Sequence, residues 1–276
     1  MNFTDFNLDN RIQEGISSLG FEKATAIQEH AIPVILEGKD LIASAQTGTG
    51  KTAAFLLPII HKILTYTHDD CIKAMVIVPT RELAVQIDQH LDGLSYFTSV
   101  SSIAVYGGGD GIVFERTKKA LTDGVDIIIC TPGTMISHLN MGYMNLSGLK
   151  YLILDEADRM LDMGFYDDII KIISFLPVKR QNLLFSATMP DKIRMLARKI
   201  LVNPLEINLA VSKPPDKILQ IAYVVYEKQK IPLILDLLKE KSLKSILIFC
   251  STKSNTKQLS RELKRAGLNA EDMHSD

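Results

Sequence analysis

The sequence has no tryptophan, few aromatic residues of any kind, only three cysteines, and no apolar run longer than a strand. Runs such as Ile127–Cys130 and Ile246–Cys250 fall far short of the ~20 residues a membrane-spanning helix needs, so no membrane span is expected. No basic segment followed by an apolar core opens the chain, and no secretory signal is therefore predicted. Cys71, Cys130 and Cys250 lie far apart without metal-ligand spacing. Two of them close apolar, strand-like runs, which predicts buried thiols in a reducing, cytoplasmic setting. A formal net charge of −1 gives no support for indiscriminate polyanion binding. What remains is an ordinary soluble composition, 46% hydrophobic and 23% charged, on a chain long enough for one large domain or two modest ones.

Apolar runs of strand length alternate with helical patterns. Strands are predicted at Asp40–Ser44, Lys73–Val78, Ser101–Val105, Asp126–Cys130, Tyr151–Leu154, Gln181–Phe185 and Leu205–Leu209. Their Ile, Leu and Val residues are nearly continuous rather than alternating, as parallel strands buried on both faces require. Helical patterns between them, such as Arg81–Leu94 and Asp191–Leu201, make βαβ units of an α/β, doubly wound parallel sheet. The pattern stops at Ser212-Lys213-Pro214-Pro215-Asp216, where adjacent prolines predict a stiff linker. The expected organisation is a first domain over 1–211, a linker over 212–217 and the first part of a second domain over 218–276. That second part restarts the same grammar: strand Ile218–Tyr226, helix Ile231–Glu240, strand Ser245–Cys250, helix Asn255–Ala266. At ~60 residues it is too short for a closed sheet and reads as truncated. From Ser212 onward twelve Lys+Arg stand against eight Asp+Glu. This mild basic bias fits either an RNA-facing surface or a solvated helix face.

Two segments carry chemistry. Ala45-Gln46-Thr47-Gly48-Thr49-Gly50-Lys51-Thr52 follows a hydrophobic strand and opens a helix. It departs from the general phosphate-loop pattern only at Ala45, which stands where the first glycine is expected. Gly48 and Gly50 can turn successive amides toward phosphates at a helix N-terminus, where the dipole favours negative charge. Lys51 would reach the terminal phosphates, and the Thr52 hydroxyl would ligate Mg²⁺. About a hundred residues on, Tyr151-Leu152-Ile153-Leu154-Asp155-Glu156-Ala157-Asp158 places two carboxylates at the carboxyl end of a buried strand. Asp155 can hold Mg²⁺, and Glu156 is placed to orient and deprotonate an attacking water. The bland alternatives are a glycine-rich turn and a solvated acidic turn; their occurrence in this order, spaced like one domain, points to nucleoside triphosphate hydrolysis.

Asp155-Glu156-Ala157-Asp158 spells the signature of the DEAD-box ATP-dependent RNA helicases of superfamily 2, and the chain resembles that family along essentially its whole length, in a bacterial type. Gly20-Phe21-Glu22-Lys23-Ala24-Thr25-Ala26-Ile27-Gln28 resembles the adenine-reading Q motif, with Phe3 at the family's upstream aromatic position. The resemblance implies a RecA-like P-loop fold and an ATP site built from Phe3, Phe21, Thr25, Gln28 and residues 45–52. Gln28 can donate to and accept from adenine together, and Phe3 could stack on the base. Pro79-Thr80-Arg81-Glu82-Leu83-Ala84, the pair Gly107-Gly108, and Thr131-Pro132-Gly133 resemble the RNA-contacting motifs, gripping phosphates without reading sequence. Arg81 could pair with an RNA phosphate or with a nearby carboxylate. Ser186-Ala187-Thr188 resembles the motif coupling nucleotide to RNA, its hydroxyls available to the acidic motif and Asp158. Ile248-Phe249-Cys250-Ser251-Thr252 resembles the first motif of the second domain, adding Ser251 and Thr252 as RNA contacts.

Three departures from the family pattern stand out. Ala24 replaces the usual proline of the Q motif, which should cost loop rigidity more than adenine contacts. Thr134 replaces the arginine that usually follows Thr-Pro-Gly. The motif supplying arginine fingers, which contribute roughly 10³–10⁵-fold to phosphoryl transfer, has no counterpart among the 276 residues. The resemblance thus implies an RNA helicase with ATP and Mg²⁺ as cofactors, RNA as partner and no membrane. The chain as it stands is expected to bind ATP yet hydrolyse it poorly. The competing readings are an ATP-binding RNA clamp without turnover, and a DNA helicase or translocase, against which the Q motif argues.

Overall fold

A computed structural model of the chain describes residues 1–66, 71–109, 111–209, 219–239 and 245–275. It divides into two compact units, Met1–Lys213 and Pro214–Asp276. The first holds a seven-stranded sheet of β1 (Leu41–Ser44), β2 (Ala74–Ile77), β3 (Ser102–Val105), β4 (Ile127–Cys130), β5 (Tyr151–Leu154), β6 (Gln181–Ser186) and β7 (Leu205–Asn208). Their spatial order is β3-β4-β2-β5-β6-β1-β7, and every pairing is parallel. All seven fall on the runs expected from sequence.

Among the described residues of this unit, helices α1 (Asn10–Ser18), α2 (Ala26–Leu36), α3 (Lys51–Ile63), α4 (Arg81–Ser95), α5 (Gly111–Asp123), α6 (Pro132–Asn140), α7 (Ala157–Asp162), α8 (Tyr166–Phe175) and α9 (Asp191–Ile200) link and cover the strands. Side chains leave a strand alternately to its two faces, so a strand covered on both sides must be apolar throughout. Strand β4 demonstrates this. Ile127 and Ile129 join one core with Ile12, Ile32, Phe55 and Leu91 of α1–α4, while Ile128 and Cys130 join the other with Met135, Met160, Ile172 and Leu196 of α6–α9. This is the doubly wound α/β architecture, and it leaves the loops at the carboxyl ends of the strands free to build a site.

The second unit departs from expectation. Its helices α10 (Lys230–Lys239) and α11 (Lys253–Arg265) lie where predicted. The predicted strands Ile218–Tyr226 and Ser245–Cys250 do not form over their described residues 219–226 and 245–250. Leu219, Val224, Leu247 and Phe249 are exposed there. A run of β-formers becomes a strand only when a neighbour satisfies its N–H and C=O groups, and among the described residues no such neighbour pairs with these segments. Cys250 is accordingly half-buried rather than buried, as is Cys71, whereas Cys130 is fully buried. The expected linker at 212–217, the first residue of the strand beginning at Ile218 and the last residue of the helix ending at Glu240 lie outside the described residues. Among the described residues no helix is long and apolar enough to cross a membrane.

Candidate functional site

The loop after β1 turns sharply before α3. Gly48 and Gly50 take positive φ of 80° and 90°, and Gly50 caps α3. Thr49 donates its hydroxyl hydrogen to the Gln46 carbonyl at 2.7 Å, closing the turn. Lys51 is almost fully buried, and its Nζ donates to the Ala45 carbonyl at 2.9 Å, back across the mouth of the loop. Ala45, at the glycine position of the general pattern, is buried and donates its N–H to Ser186. Gln46, Thr47 and Gly48 are exposed at the rim.

Helix α2 brings the Q motif against this loop. The Gln28 side chain is buried and already held at both ends. Its Oε1 accepts the Thr25 N–H at 2.9 Å, one arm of a capping box, and its Nε2 donates to the Gly50 carbonyl at 3.1 Å. One amide hydrogen and one lone pair remain for a base. Phe3, expected to stack on adenine, is 4% exposed and packs its ring against Phe6 and Phe21. Phe21 is 42% exposed and presents the open aromatic face, with Phe3 behind it. Ala24 makes a backbone contact of its own. Its N–H donates to the Met1 carbonyl, a bond that a proline could not make, so the loop is tied to the chain's start instead of stiffened by a ring.

Asp155 directly follows β5 and is 3% exposed; its Oδ1 accepts the Glu156 N–H at 2.9 Å. Burial pushes its carboxyl up to about 6, with the Lys51 ammonium pulling the other way. Glu156 adopts left-handed backbone at φ 50° as the N-cap of α7, a conformation seldom taken by a non-glycine residue. For Asp158, burial raises the carboxyl, but hydrogen bonds, that of the Thr188 side chain foremost, outweigh it and hold the group below its ordinary value. Thr188 donates both its N–H and its hydroxyl to Asp158, and the Ser186 hydroxyl donates to the Thr188 carbonyl at 2.7 Å.

A cavity of roughly 640 Å³ joins these parts. Phe3, Phe21, Thr25 and Gln28 line one end, and Thr47, Gly48, Gly50, Lys51, Thr52, Asp155 and Glu156 the other. Leu83, Gln86 and His90 of α4 also reach it. Leu83 belongs to the Pro79–Ala84 motif, but nothing in the sequence marks Gln86 or His90 beyond helical spacing. Hard oxygen donors at Thr52 and Asp155 suit Mg²⁺, which takes only one or two protein carboxylates. Among the described residues no group of three or more His, Cys, Asp or Glu could make a fuller metal cage.

The RNA-motif candidates occupy the other half of the sheet's carboxyl edge. Nucleotide-motif residues follow β1, β5 and β6, whereas Thr80 and Arg81 follow β2, Gly107 and Gly108 follow β3, and Thr131 to Gly133 follow β4. Thr80 caps α4 by accepting the Leu83 N–H, and Thr131 is the residue before α6. Pro79 and Pro132 are buried, leaving Arg81, Gly107, Gly108 and Gly133 as the exposed members. Among the described residues Arg81 makes no ion pair; its guanidinium lies over the Tyr106 ring, 4.9 Å from the centroid. Tyr106 was not a sequence candidate, although an aromatic residue directly before a glycine pair at a strand end was a usable signal. In the second unit, Thr252 caps α11 by accepting the Asn255 N–H, and Ser251 accepts a hydrogen bond from the Asn255 side chain.

Comparison with known proteins places this geometry. The DEAD/DEAH box helicase family model matches residues 25–196. The chain is 43% identical over 275 residues to the ATP-dependent RNA helicase CshA of Listeria monocytogenes, covering 99% of this chain and 52% of that protein. It is 39% identical to the DEAD-box ATP-dependent RNA helicase RhpA of Helicobacter pylori, covering 55% of that protein. The chain therefore spans about half the length of these relatives. The crystal structure of a DEAD box protein from the hyperthermophile Methanococcus jannaschii is similar, with a TM-score of 0.71 and 37% identity, covering 100% of this chain and 73% of that one. The seven-stranded parallel sheet is thus the RecA-like fold of these proteins, and the chain belongs to the DEAD/DEAH box helicase family.

Proposed function

We propose that this chain provides the nucleotide-binding and part of the RNA-binding machinery of an ATP-dependent RNA helicase working in the cytoplasm. The observation that carries the reading is the single cavity joining Gln28 and Phe21 to the phosphate loop and to Asp155 and Glu156, on the same sheet edge as Arg81, Gly107 and Gly108.

Adenine lies against Phe21, and the spare donor and acceptor of Gln28 read its amino group and ring nitrogen. The amides after Gly48 and the Lys51 ammonium bind the phosphates, Lys51 exchanging the Ala45 carbonyl for a phosphate oxygen. Thr52 and Asp155 would hold Mg²⁺, which when bound would supply positive charge beside the phosphates. Glu156 orients the attacking water and accepts its proton. Thr80, Arg81, Gly107, Gly108, Thr131 and Gly133, with Ser251 and Thr252 of the second unit, contact RNA through its backbone, without sequence preference. Contact with 2′-hydroxyls would separate RNA from DNA. Asp158, Ser186 and Thr188 couple the two halves. In the complete machine, ATP and RNA binding bend one strand of a short duplex and hydrolysis releases it. The 276-residue polypeptide by itself holds ATP but turns it over slowly, since an arginine finger supplies a large share of such rates.

Nucleotide binding and ATP turnover, each measured with single-stranded RNA, single-stranded DNA and no nucleic acid, test this. Binding of ATP with turnover that rises on RNA but not DNA supports the reading. Equal stimulation by DNA would replace it with a DNA translocase. Fast turnover by the 276 residues without any arginine finger would overturn the slow-turnover part alone.

A further inference from the structure

Tyr106 lies at the end of β3, between Val105 and the exposed Gly107-Gly108 pair. Its ring is packed in part against the core beneath α1–α4, so it forms a fixed plate rather than a mobile side chain. Arg81, the first residue of α4, is exposed, and its guanidinium lies 4.9 Å from the centre of that ring. Gly108 holds a φ of +94°, and a Cβ built there would sit 3.3 Å from Arg81 Nη1. Gly107 borders Thr134, whose Oγ1 would be 3.3 Å from a Cβ at 107. Gly108 thus keeps clear the space the guanidinium needs, and the neighbouring start of α6, Pro132-Gly133-Thr134, contributes no cation.

A long arginine at an exposed helix start has many rotamers, and binding a phosphate with it costs the entropy of choosing one. Stacking a guanidinium on an aromatic plate removes much of that cost before the ligand arrives, while leaving its N–H groups at the plane's edge free to donate. We infer that Tyr106 is a positioning residue for RNA. It holds the Arg81 guanidinium over its ring and beside Gly108, preset to take one phosphate at its edge. This deepens the RNA-helicase reading and rests on it. Tyr106 does not itself carry the charge; it acts through Arg81.

The test measures single-stranded RNA affinity in the presence of a non-hydrolysable ATP analogue, with nucleotide affinity recorded alongside. Wild type is compared with Tyr106→Phe, Tyr106→Leu, Arg81→Ala and the Tyr106→Leu/Arg81→Ala double variant. Phe keeps the plate, so Tyr106→Phe should bind RNA as wild type does. Tyr106→Leu should weaken RNA binding roughly two- to fivefold, the range of an exposed cation–π contact. Its effect should vanish in the Arg81→Ala background, and nucleotide affinity should hold throughout. A merely structural role for Tyr106 would lower RNA affinity equally with or without Arg81, and that additivity would overturn the inference. So would a Tyr106→Leu variant that binds RNA normally while Arg81→Ala does not, or a Tyr106→Phe variant as weak as Leu. Failure of the wild type to bind RNA at all would instead remove the RNA-helicase reading on which the inference stands.

Discussion

Asp158 and Thr188 are joined twice: one carboxylate oxygen of Asp158 accepts the Thr188 backbone N–H at 2.9 Å and its hydroxyl at 2.8 Å. This link ties the turn after β6 to α7, which begins at the acidic motif, so a shift of either element is passed to the other. Thr188→Ala keeps the backbone bond and loses the hydroxyl. One charge-assisted bond of ~1.5 kcal/mol corresponds to about a tenfold effect. RNA-stimulated turnover should fall by about that factor while nucleotide affinity stays within twofold, and Thr188→Ser should restore turnover. Loss of nucleotide binding in Thr188→Ala would count against a coupling role.

Glu156→Gln removes the proton acceptor but keeps size and polarity. Turnover in the full-length protein should drop on the order of 10²–10⁴-fold with ATP binding retained. Lys51→Ala should do the opposite and weaken nucleotide binding first. Steady-state turnover together with fluorescent-nucleotide titration separates the two. A Glu156→Gln variant that fails equally in binding would remove Glu156 from the proton-accepting role.

Gly50 and Gly48 both have positive φ, but only Gly50 is crowded. A Cβ at 50 would lie 2.5 Å from Gln28 Nε2 and 3.2 Å from Thr25 Oγ1, whereas a Cβ at 48 meets nothing within 4 Å. Gly48→Ala should therefore carry only the left-handed strain of roughly 1–2 kcal/mol. Gly50→Ala should add the loss of the Gln28–Gly50 bond and erase the preference for adenine over guanine nucleotides. Competition between ATP and GTP for the two variants reads this out, and unaltered base selectivity in Gly50→Ala would contradict it.

Asp155 is protonated below about pH 6 in the ligand-free protein, because burial raises its carboxyl. Holding Mg²⁺ requires the ionised form. The sign follows: as pH falls through 6, Mg²⁺–ATP must displace a proton, and affinity should weaken by up to about tenfold per pH unit. Calorimetry in buffers of different ionisation enthalpy should register proton release near pH 6 and little at pH 8. Asp155→Asn should bind weakly and lose this pH dependence; the same slope in that variant would assign the proton elsewhere.

Phe21 and Phe3 should separate by readout. Phe21→Ala removes an exposed ring, and losing one base-stacking contact of ~1–3 kcal/mol predicts ATP affinity at least fivefold weaker at nearly unchanged thermal stability. Phe3→Ala empties a buried site and should destabilise the protein by roughly 3 kcal/mol. Thermal unfolding beside ATP titration distinguishes them. If Phe3→Ala cost affinity without stability, Phe3 rather than Phe21 would be the stacking ring.

The inner strands β2, β4 and β5 were legible because a strand buried on both faces must be apolar at every position, and Ile127–Cys130 or Tyr151–Leu154 admits little else. The phosphate loop and the acidic motif were legible because their chemistry is local: glycines, a lysine and carboxylates at fixed spacing. Contacts between distant residues were not. Whether Phe3 or Phe21 offers an open face depends on how the chain's start folds over α1, and spacing does not encode that. The occupation of both ends of the Gln28 amide, the Ala24 bond to Met1 and the seat of Arg81 on Tyr106 each join segments brought together only by the packed sheet. The segments 219–226 and 245–250 make the same point in reverse. β-propensity is a property of the residues, but a strand is a property of a pair, and only tertiary structure decides whether the partner is there.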